Sequence, residues 1–584
     1  MTKKANGVYY TPQPVVDYIV KNTLGPLLVG KSPMALAGCT ATWQRDSGKY
    51  PLTILDPACG SGHLLLGAYR FLLEWFLKWY IEDDADYWLR SSHPRLQRIH
   101  GSLQLCVCER QRILSEHIYG VDTDEQAIDI ANHELLEEMT DEACDEAPAF
   151  GNIRCGNSLI DSDFQSRANT TCPNIIRVFD WKREFPAIIA RGGFDAVIAN
   201  PPYVNARLIK QTQGEVVKEY YREKYRGARR AFDLYTLFVE RSHQLLRCGG
   251  RAGMIVPNKI ATLDYARTCR KLLLAETTLE EIADVSNLQL FPEARVYPYI
   301  LTWTKVVPDS EHHIRIVMAD DMEQLATKDK SHYIRQASWT AESGFAIHST
   351  LDVESRVRTQ PLVQRGSIHS GTTGFSAGKL ANELQAWDVA GQEEAFEFIV
   401  SGNIDRYSIT LGNVRFMKRR FARPVLPKRS SVLSKHKRRL FSHPKIVIAG
   451  MSRRLEAAFD ERGLALGVQV YAIADLRDDP RFILGLLNSK LMSYLLRTRF
   501  HAKQLAGGYL AVNKGQLAQL PIRSIDDHDR QSNRLREDII KQVERRENGT
   551  TAADDCIDQL VFELYALTND EISTIQRDLS TRDT

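Results

Sequence analysis

Short apolar runs alternate with stretches of helical periodicity over the first 310 residues of the chain. The run 196–199 has the length and apolarity of a strand that is buried on both faces of a sheet. The predicted strands lie at 52–56, 118–122, 152–156, 194–199, 252–256, 282–285 and 299–305. The predicted helices lie at 15–20, 63–80, 125–138, 233–246 and 262–275. This alternation predicts an α/β fold with a doubly wound, mainly parallel sheet.

Three stretches interrupt the alternation. Residues 81–117 are polar and are expected to form an irregular insertion. Residues 204–232 are rich in Lys and Arg and are expected to be mobile. Cys248-Gly249-Gly250 follows a predicted helix, and we expect these residues to cap it.

The alternation fades after residue 310, which indicates a change of domain. At about 100–200 residues per domain, a chain of this length is expected to contain two to four domains. Apolar residues return at helical spacing near the C-terminus, and we expect them to pack on the rest of the protein. We therefore predict a catalytic domain at 1–310, an α+β recognition domain at 311–525 and a helical segment at 526–584.

The run that ends in Asn200-Pro201-Pro202-Tyr203 carries candidate chemistry. Two successive prolines stop a strand, because neither has an N–H to donate and each fixes φ. The run therefore delivers an amide, a carbonyl and an aromatic ring to the edge of the sheet where open α/β folds bind ligands. These groups suit a planar base with an exocyclic amine. The alternative is an ordinary strand-ending turn, with Tyr203 packed on the core.

The loop Asp56-Pro57-Ala58-Cys59-Gly60-Ser61-Gly62 joins the first predicted strand to a helix. Small residues let the backbone approach a ligand, and the helix N-terminus supplies free N–H donors. The loop fits neither GxGxxG nor the phosphate-binding GxxxxGK[ST] pattern. Asp56 repels phosphate but can accept a hydrogen bond from an ammonium group. This favours a cationic ligand such as the methionine part of S-adenosylmethionine, and a tight structural turn is the alternative.

Polar residues follow two further predicted strands. Asp122 ends the second strand, where an acid can bind ribose hydroxyls, as in dinucleotide-binding folds. Asn157 follows the third strand and can form a hydrogen bond with an adenine edge. Near the N-terminus, Thr11 precedes Pro12 and predicts the start of a helix.

The net charge of +3 conceals a strong segregation of charge. Residues 121–150 carry eleven acids and no Lys or Arg, whereas residues 406–454 carry fifteen Lys or Arg and no acid. Basic residues interleaved with aromatic ones suit phosphate contacts and base stacking, so we predict that this basic segment binds nucleic acid. A solvated charge run is the alternative. The predicted phosphate contacts are Arg419, Arg420, Lys428, Arg429, Lys437, Arg438 and Arg439.

The ten cysteines contain no CxxC pair, so we expect free thiols in a reducing compartment and no metal site. The most apolar stretch, 63–80, has Arg70, Glu74 and Lys78 at every fourth residue. This stripe indicates a mostly buried helix instead of a membrane span. The N-terminus lacks the pattern of a signal peptide, and no membrane association is expected.

The motifs stand in one order along the chain: Tyr10-Thr11-Pro12, Asp56 to Gly62, Gly120-Val121-Asp122, Gly156 to Leu159 and Asn200 to Tyr203. In this order they resemble the adenine-specific DNA methyltransferases of restriction–modification systems, in particular the TaqI-like and Eco57I-like members. The resemblance covers 7–305 closely and 360–525 more loosely. It implies a cytoplasmic, prokaryotic enzyme that acts on duplex DNA within a restriction–modification or related defence system.

The resemblance also implies a role for each motif. Residues implied to surround the cofactor S-adenosylmethionine are Tyr10, Thr11, Asp56, Ala58, Gly60, Gly62, Asp122 and Asn157. Relatives often carry Asp at the position of Asn157. Asn200 and the Pro201 carbonyl are implied to accept hydrogen bonds from the N6 amine of a flipped adenine, within the motif that Pro202 completes. Tyr203 and Phe291 are implied to stack on that base.

Several alternatives stay open. Asn-Pro-Pro-Tyr also occurs in methyltransferases that act on RNA or on protein glutamine, although those usually lack a large basic C-terminal domain. N4-cytosine methylation is chemically close, but Ser-Pro-Pro is more usual there. A DNA-binding specificity protein with an inactive methyltransferase domain is a further alternative. No nuclease carboxylate–lysine cluster is evident, so we expect any DNA cleavage to need a separate restriction endonuclease.

Overall fold

The computed structural model divides the chain into two units, Met1–Ile347 and His348–Thr584. The residues it describes are 11–36, 51–140, 151–164, 176–228, 231–291, 297–341, 344–345, 347, 351, 353–354, 356–372, 374–387, 394–499, 510–526 and 528–580.

The first unit alternates strands and helices. Its strands are β1 (Ile54–Asp56), β2 (Leu96–Ile99), β3 (Ser102–Leu105), β4 (Ile118–Asp122), β5 (Ile153–Cys155), β6 (Phe194–Ala199), β7 (Leu246–Pro257), β8 (Thr278–Asp284), β9 (Pro298–Thr304), β10 (His313–Met318) and β11 (Ser331–Arg335). Its helices are α1 (Gln13–Leu28), α2 (Pro33–Leu36), α3 (His63–Arg90), α4 (Val107–His117), α5 (Glu125–Met139), α6 (Trp181–Glu184), α7 (Pro186–Ala190), α8 (Ala206–Gln213), α9 (Glu215–Lys224), α10 (Leu234–Leu245), α11 (Arg267–Glu276) and α12 (Met322–Thr327).

Nine of these strands form one sheet in the order β11-β10-β8-β9-β7-β6-β1-β4-β5. From β5 to β7 all neighbours are parallel. Strand β9 runs antiparallel between β7 and β8, β10 is parallel to β8, and β11 closes the edge antiparallel to β10. Along the chain, β4 and β5 are added to one side of β1, and β6 is then added to its other side. The switch point therefore lies between β1 and β6, and the predicted mainly parallel sheet is confirmed.

The start of β6 is joined to its neighbours by a buried carboxylate. All six residues of β6 are buried, which explains its continuous apolar pattern. Asp195 Oδ2 accepts hydrogen bonds from the Thr53 amide at 2.8 Å and from Arg191 at 2.8 Å, and Oδ1 accepts one from Arg247 at 2.6 Å. These bonds neutralise the charge and fix β6 against the segment that leads into β1.

Helix α1 lies close to the sheet and to α3 because glycines face it. A Cβ added at Gly253 on β7 would lie 1.9 Å from Thr23 Oγ1, and one at Gly67 on α3 would lie 2.3 Å from Val16 Cγ1. The close approach fixes the position of Thr11, which lies two residues before the helix.

Several sequence expectations for this unit differ from the structure. Residues 81–117 are ordered, because α3 continues to Arg90 and is followed by the β2–β3 hairpin and α4. The described part of 204–232 contains α8 and α9, in which Val217 and Tyr220 are buried beneath the basic residues. Cys248-Gly249-Gly250 lies inside β7 and caps no helix, since α10 ends at Leu245. The helix expected at 262–275 begins only at Arg267. The sheet continues past residue 310, where the alternation was expected to end, through β10 and β11.

The second unit has many short strands and a helical C-terminal part. Its strands are β12 (Thr359–Pro361), β13 (Ser367–Ser370), β14 (Gln385–Ala386), β15 (Ala395–Ile399), β16 (Ile404–Asp405), β17 (Ser408–Ile409), β18 (Val414–Phe416), β19 (Arg419–Phe421), β20 (Pro424–Pro427), β21 (Lys445–Ala449), β22 (Met451–Ser452), β23 (Ala457–Asp460), β24 (Leu464–Leu466), β25 (Val470–Ala474), β26 (Leu510–Ala511) and β27 (Pro521–Arg523). Its helices are α13 (Gly374–Glu383), α14 (Lys435–Ser442), α15 (Pro480–Asn488), α16 (Lys490–Arg499), α17 (Lys514–Ala518), α18 (Arg530–Glu547), α19 (Ala553–Leu564) and α20 (Asn569–Ser580).

Two four-stranded sheets organise this unit, in the orders β13-β25-β21-β23 and β14-β20-β15-β24. The first is antiparallel throughout. Ile557, Val561 and Leu564 of α19 are buried in one cluster with residues of α15, α16 and α18. The apolar stripe near the C-terminus therefore packs on the rest of the unit, as the helical spacing predicted.

Candidate functional site

A cavity of about 360 Å³ lies at the carboxyl ends of β1, β4, β5 and β6 in the first unit. Its position beside the switch point between β1 and β6 is the place where open α/β sheets bind ligands, and its volume is within the usual range for small molecules. Its lining residues are Pro57, Ala58, Gly60, Asp122, Thr123, Asp124, Ala127, Gly156, Asn157, Ser158, Leu159, Asn200, Pro202, Val204, Thr212, Gln213, Tyr221, Leu234 and Phe238.

The loop after β1 is built on two glycines with positive φ, +51° at Gly60 and +85° at Gly62. A Cβ at Gly62 would lie 2.8 Å from the Ala131 Cβ on α5, so this position has no room for a side chain. The Gly60 amide donates to Asp122 Oδ2 at 2.8 Å. The loop is therefore held against the end of β4, and its backbone faces the cavity.

Two buried carboxylates lie beside this loop. Burial and, to a smaller extent, the nearby Asp122 raise the pKa of Asp56 to about 8, opposed by a hydrogen bond from the Ala58 amide. Burial also raises the pKa of Asp122. Asp56 is only 1% exposed and accepts from the Ala58 amide at 2.9 Å. Asp56 therefore stabilises the conformation of the loop through its hydrogen bond with Ala58, whereas Asp122 lines the cavity.

The segment after β5 forms the opposite wall. Asn157 Oδ1 accepts from the Leu159 amide at 3.0 Å, and Nδ2 donates to the Tyr221 hydroxyl at 3.3 Å. That hydroxyl donates to Gln213 Oε1 at 3.3 Å. Ser158 Oγ donates to the Pro57 carbonyl at 2.6 Å, which joins this segment to the loop after β1.

The amide of Asn200 is fixed from two sides. Its Nδ2 donates to Thr11 Oγ1 at 3.0 Å, and its Oδ1 accepts from the Tyr203 hydroxyl at 3.1 Å. The Tyr203 hydroxyl also lies 3.3 Å from the Ile255 carbonyl of β7. The Tyr203 ring packs edge-on against Tyr235 at 6.2 Å. Thr11 is 5% exposed, so this residue is buried beside the Asn200 amide.

The structure brings most of the predicted site residues together. Ala58, Gly60, Asp122, Asn157, Asn200 and Pro202 line the cavity, and Thr11 and Tyr203 contact Asn200. Pro201 is buried immediately after β6, and Gly62 packs against Ala131 of α5. Phe291 is 5% exposed and packs in the hydrophobic cluster that contains α1 and α3. Tyr10 lies outside the described residues.

Sequence reasoning missed the wall formed by α8, α9 and α10. Thr212, Gln213 and Tyr221 line the cavity from α8 and α9, and Leu234 and Phe238 line it from α10. The signal that could have revealed α9 is the spacing of Val217, Tyr220 and Tyr221, which are buried on one side of that helix. The charged residues Lys218, Glu219 and Arg222 among and beside them concealed this pattern.

The basic segment 406–454 lies in the second unit, and its side chains differ in their surroundings. Arg419, Arg420, Lys428, Arg429 and Arg439 are exposed. Lys437 Nζ donates to the Gly371 carbonyl at 2.5 Å and Arg438 donates to the Ser430 carbonyl at 3.2 Å. Burial lowers the pKa of Lys437. Of the seven predicted phosphate contacts, these two are therefore already bonded to backbone carbonyls.

Two family models match the chain. Residues 116–291 match the Eco57I restriction-modification methylase, and residues 397–522 match the TaqI-like C-terminal specificity domain. The chain carries an Eco57I-like methylase region and a TaqI-like specificity domain. The first region contains the ends of β4, β5 and β6, and the second contains the basic segment.

Curated relatives agree with these matches. The type II restriction enzyme and methyltransferase RM.Eco57I of Escherichia coli is 26% identical over 57% of this chain. The putative type II restriction enzyme and methyltransferase RM.MjaORFECS2P of Methanocaldococcus jannaschii is 22% identical over 96% of this chain. The chain spans 31% and 58% of the length of these two relatives. The adenine-specific methyltransferase PglX of Streptomyces coelicolor is 24% identical, over 42% of this chain and 18% of PglX.

Solved structures share the fold. The type IIL restriction–modification enzyme MmeI, solved in complex with DNA, has a TM-score of 0.51 at 14% identity and covers 91% of this chain and 73% of that chain. A nuclease-deletion mutant of the type ISP enzyme LlaGI has a TM-score of 0.51 at 12% identity, over 93% of this chain and 47% of that chain. None of the described helices has the length and apolarity that spanning a membrane requires.

Proposed function

We propose that the protein is a site-specific DNA methyltransferase that transfers a methyl group from S-adenosylmethionine to the N6 amine of adenine. The observation that carries the proposal is the Asn200 amide, which lines the cavity and is held at both ends by Thr11 and Tyr203. The methylase and specificity domain matches support the reaction class. The name of PglX supports adenine as the acceptor.

The residues of the cavity fit S-adenosylmethionine. The loop at Gly60 presents backbone to the cavity without side chains, and Asp122 supplies a carboxylate for ribose hydroxyls. Leu234 and Phe238 supply an apolar surface for an adenine ring in the same cavity as the Asn157 amide. When bound, S-adenosylmethionine supplies an electrophilic methyl group together with its own leaving group.

Asn200 acts on the acceptor amine. The lone pair of an adenine N6 is delocalised into the ring, so the amine is a poor nucleophile. Acceptors placed at both N–H bonds, the Asn200 amide oxygen and the Pro201 carbonyl, favour a pyramidal nitrogen with a localised lone pair. No strong base is needed, because positioning and electrostatics supply the rate enhancement.

The adenine has to leave the duplex to reach this site. Flipping costs a few kcal/mol, which stacking on an aromatic ring and hydrogen bonds to the amine offset. Tyr203 is the proposed stacking residue. Phe291 would need to emerge from its buried position to take part, so we assign it no contact with the base in the arrangement described.

The second unit is the proposed DNA-recognition unit, because it carries the basic segment and the TaqI-like specificity domain. Duplex DNA is the proposed substrate, within a restriction–modification or related defence system. Restriction enzyme and methyltransferase activities are combined in the names of the two relatives RM.Eco57I and RM.MjaORFECS2P. A restriction endonuclease on a separate chain is the proposed partner of this one.

The test is to map modified bases across the genome of a host that expresses the wild-type chain or Asn200→Ala. We expect N6-methyladenine at one sequence motif in the wild type and its complete loss in the variant. Asn548→Ala removes an exposed asparagine of the second unit and is the matched control. It should leave the motif fully methylated.

The same map separates the alternatives. N4-methylcytosine at a fixed motif would retain the enzyme but overturn adenine as the acceptor. An unmodified genome with a folded wild-type chain would overturn DNA methylation altogether.

A further inference from the structure

The strands β18 and β19 form a hairpin inside the basic segment. They pair antiparallel with Val414 opposite Phe421, Arg415 opposite Arg420 and Phe416 opposite Arg419. The two-residue turn between them is Met417-Lys418, and both residues have positive φ, +47° and +66°. Positive φ at both central positions is the geometry of a type I′ turn, which normally has Asn-Gly or a similar pair.

The two faces of the hairpin differ. Val414 is 1% exposed and Phe416 is 6% exposed, and both belong to a hydrophobic cluster with Phe398 and Leu426. Side chains of the other face point to solvent, and Arg415 and Arg420 lie directly opposite each other there. The hairpin is therefore fixed to the unit by one face and presents arginines on the other.

Within the part of the chain that the structure describes, the positive charge of the hairpin has no acidic partner. Like charges directly opposite each other across two strands destabilise the pair. Within the described residues, no ion pair involves the hairpin's four basic side chains: Arg415, Lys418, Arg419 and Arg420. Two neighbouring arginines do have acidic partners, since Arg423 contacts Glu397 at 2.8 Å and Arg429 contacts Glu394 at 3.5 Å. Among the described residues, the hairpin thus differs from these two arginines in having no acidic partner.

Met417 at the tip is 51% exposed, although it is apolar. A non-glycine residue other than Asn or Asp is uncommon at positive φ, and such strain concentrates at sites that contact ligands. A methionine here gains nothing from the core and costs stability in the turn. A contact outside the chain would account for an exposed apolar side chain at this position.

We propose that this hairpin enters the major groove of duplex DNA, with Met417 against base edges and the four basic side chains on flanking phosphates. A two-stranded ribbon fits the major groove, where apolar side chains read base edges and Lys and Arg fix the register on phosphates. The inference rests on the proposed function, because it takes DNA as the partner of the second unit.

The test selects binding sites from a pool of random duplexes with the full-length chain and then measures affinity for the selected duplex. Selection reads DNA binding alone, so it does not depend on methyl transfer. For Met417→Asn we expect the same motif with one or two adjacent positions degenerate, and an affinity about tenfold weaker. Affinity for a scrambled duplex should stay within about twofold. The melting temperature should stay equal or rise, because Asn tolerates positive φ.

Arg415→Gln combined with Arg420→Gln should weaken binding to all duplexes alike and reduce the dependence of affinity on salt. Arg423→Gln is the matched control for charge, because Arg423 is paired with Glu397. Val363→Asn is the control for a lost apolar side chain, since Val363 is 53% exposed elsewhere in the same unit.

An unchanged motif for Met417→Asn, or a uniform loss of affinity across all sequences, would overturn the proposed base contact. A preference of the wild-type chain for single strands or for RNA duplexes would overturn the proposed partner. A selected DNA motif without methyl transfer would leave the hairpin assignment standing and would refute only the proposed enzymatic activity.

Discussion

At the residue scale, the site depends on how one amide is oriented. Asn200 donates to Thr11 and accepts from Tyr203, so its oxygen and nitrogen are distinguished by their partners. Thr11 lies 189 positions away in sequence from Asn200. A residue so distant in sequence can act as a positioning residue because α1 is packed tightly on β7 and α3.

Thr11→Val removes the acceptor of the Asn200 amide while keeping the shape of the side chain. We expect kcat to fall by roughly threefold to tenfold, the equivalent of one hydrogen bond of about 0.5–1.5 kcal/mol. Steady-state kinetics with a duplex of the mapped motif measure this change. Thr11→Ser keeps the hydroxyl and should restore kcat. Equal kcat for all three proteins would remove Thr11 from the positioning of Asn200.

A second prediction at this scale concerns Asp56, whose pKa burial raises to about 8. The unfolded chain has the ordinary pKa of an aspartate, about 3.9, so the folded protein binds the proton more tightly between these values. The contribution of Asp56 to stability is therefore greatest at low pH and is lost as the pH rises from about 4 to about 8.

The melting temperatures of wild type and Asp56→Asn are measured at several pH values between about 5 and 8. This window lies within the range of about pH 4 to 8 over which the contribution of Asp56 changes. The melting temperature of the variant should exceed that of the wild type increasingly as the pH rises. Asp86→Asn removes an exposed carboxylate of α3 and should leave the wild-type pH profile unchanged. A constant difference between Asp56→Asn and wild type would show that Asp56 is ionised throughout.

At the element scale, β1 and β6 could be predicted because all of their residues are buried and therefore apolar or paired. Strand β6 is buried throughout and ends at two prolines, so its pattern is unambiguous. The position of β9 between β7 and β8 could not be predicted, because strand order follows from packing between distant segments. Helix α9 was hidden because charged residues, including Lys218 and Arg222, flank its buried Tyr220 and Tyr221.

The site likewise contains residues that could be predicted from the sequence and residues that could not. Asn200, Asp122 and Gly60 follow the ends of predicted strands, and parallel strands bring such ends to one edge. Tyr221 and Phe238 reach the cavity from α9 and α10, through contacts between elements that no local pattern encodes. Charge counting found the basic segment but could not distinguish the exposed Arg419 from Lys445, which is buried in an ion pair with Asp460.

The prediction at this scale concerns the contact between α1 and β7. Gly253→Ala places a Cβ 1.9 Å from Thr23 Oγ1 and forces α1 away from the sheet. We expect a loss of about 1–3 kcal/mol in the free energy of unfolding, from overpacking. Gly25→Ala within α1 meets nothing within 4 Å and should be neutral or stabilising. Denaturant titration of both variants measures the difference, and equal stabilities would contradict the close packing of α1.

At the scale of the whole molecule, the chain combines a unit with a small-molecule cavity and a unit with an exposed basic surface. The cavity lies at the switch point of the sheet and is lined by Asn200 and Asp122. The basic surface lies in the region that matches a specificity domain. The division of labour we propose assigns methyl transfer to the first unit and the choice of DNA sequence to the second.

The most direct measurement follows the fate of a radiolabelled methyl group. The purified chain is incubated with S-adenosylmethionine labelled in the methyl group and with duplex DNA that contains the mapped motif, and the DNA is digested to nucleosides. With the wild type, we expect the label to elute as N6-methyldeoxyadenosine. With Asn200→Ala, we expect no label in the DNA. Label in a cytosine nucleoside or in protein, or equal labelling by the folded variant, would contradict the role given to Asn200.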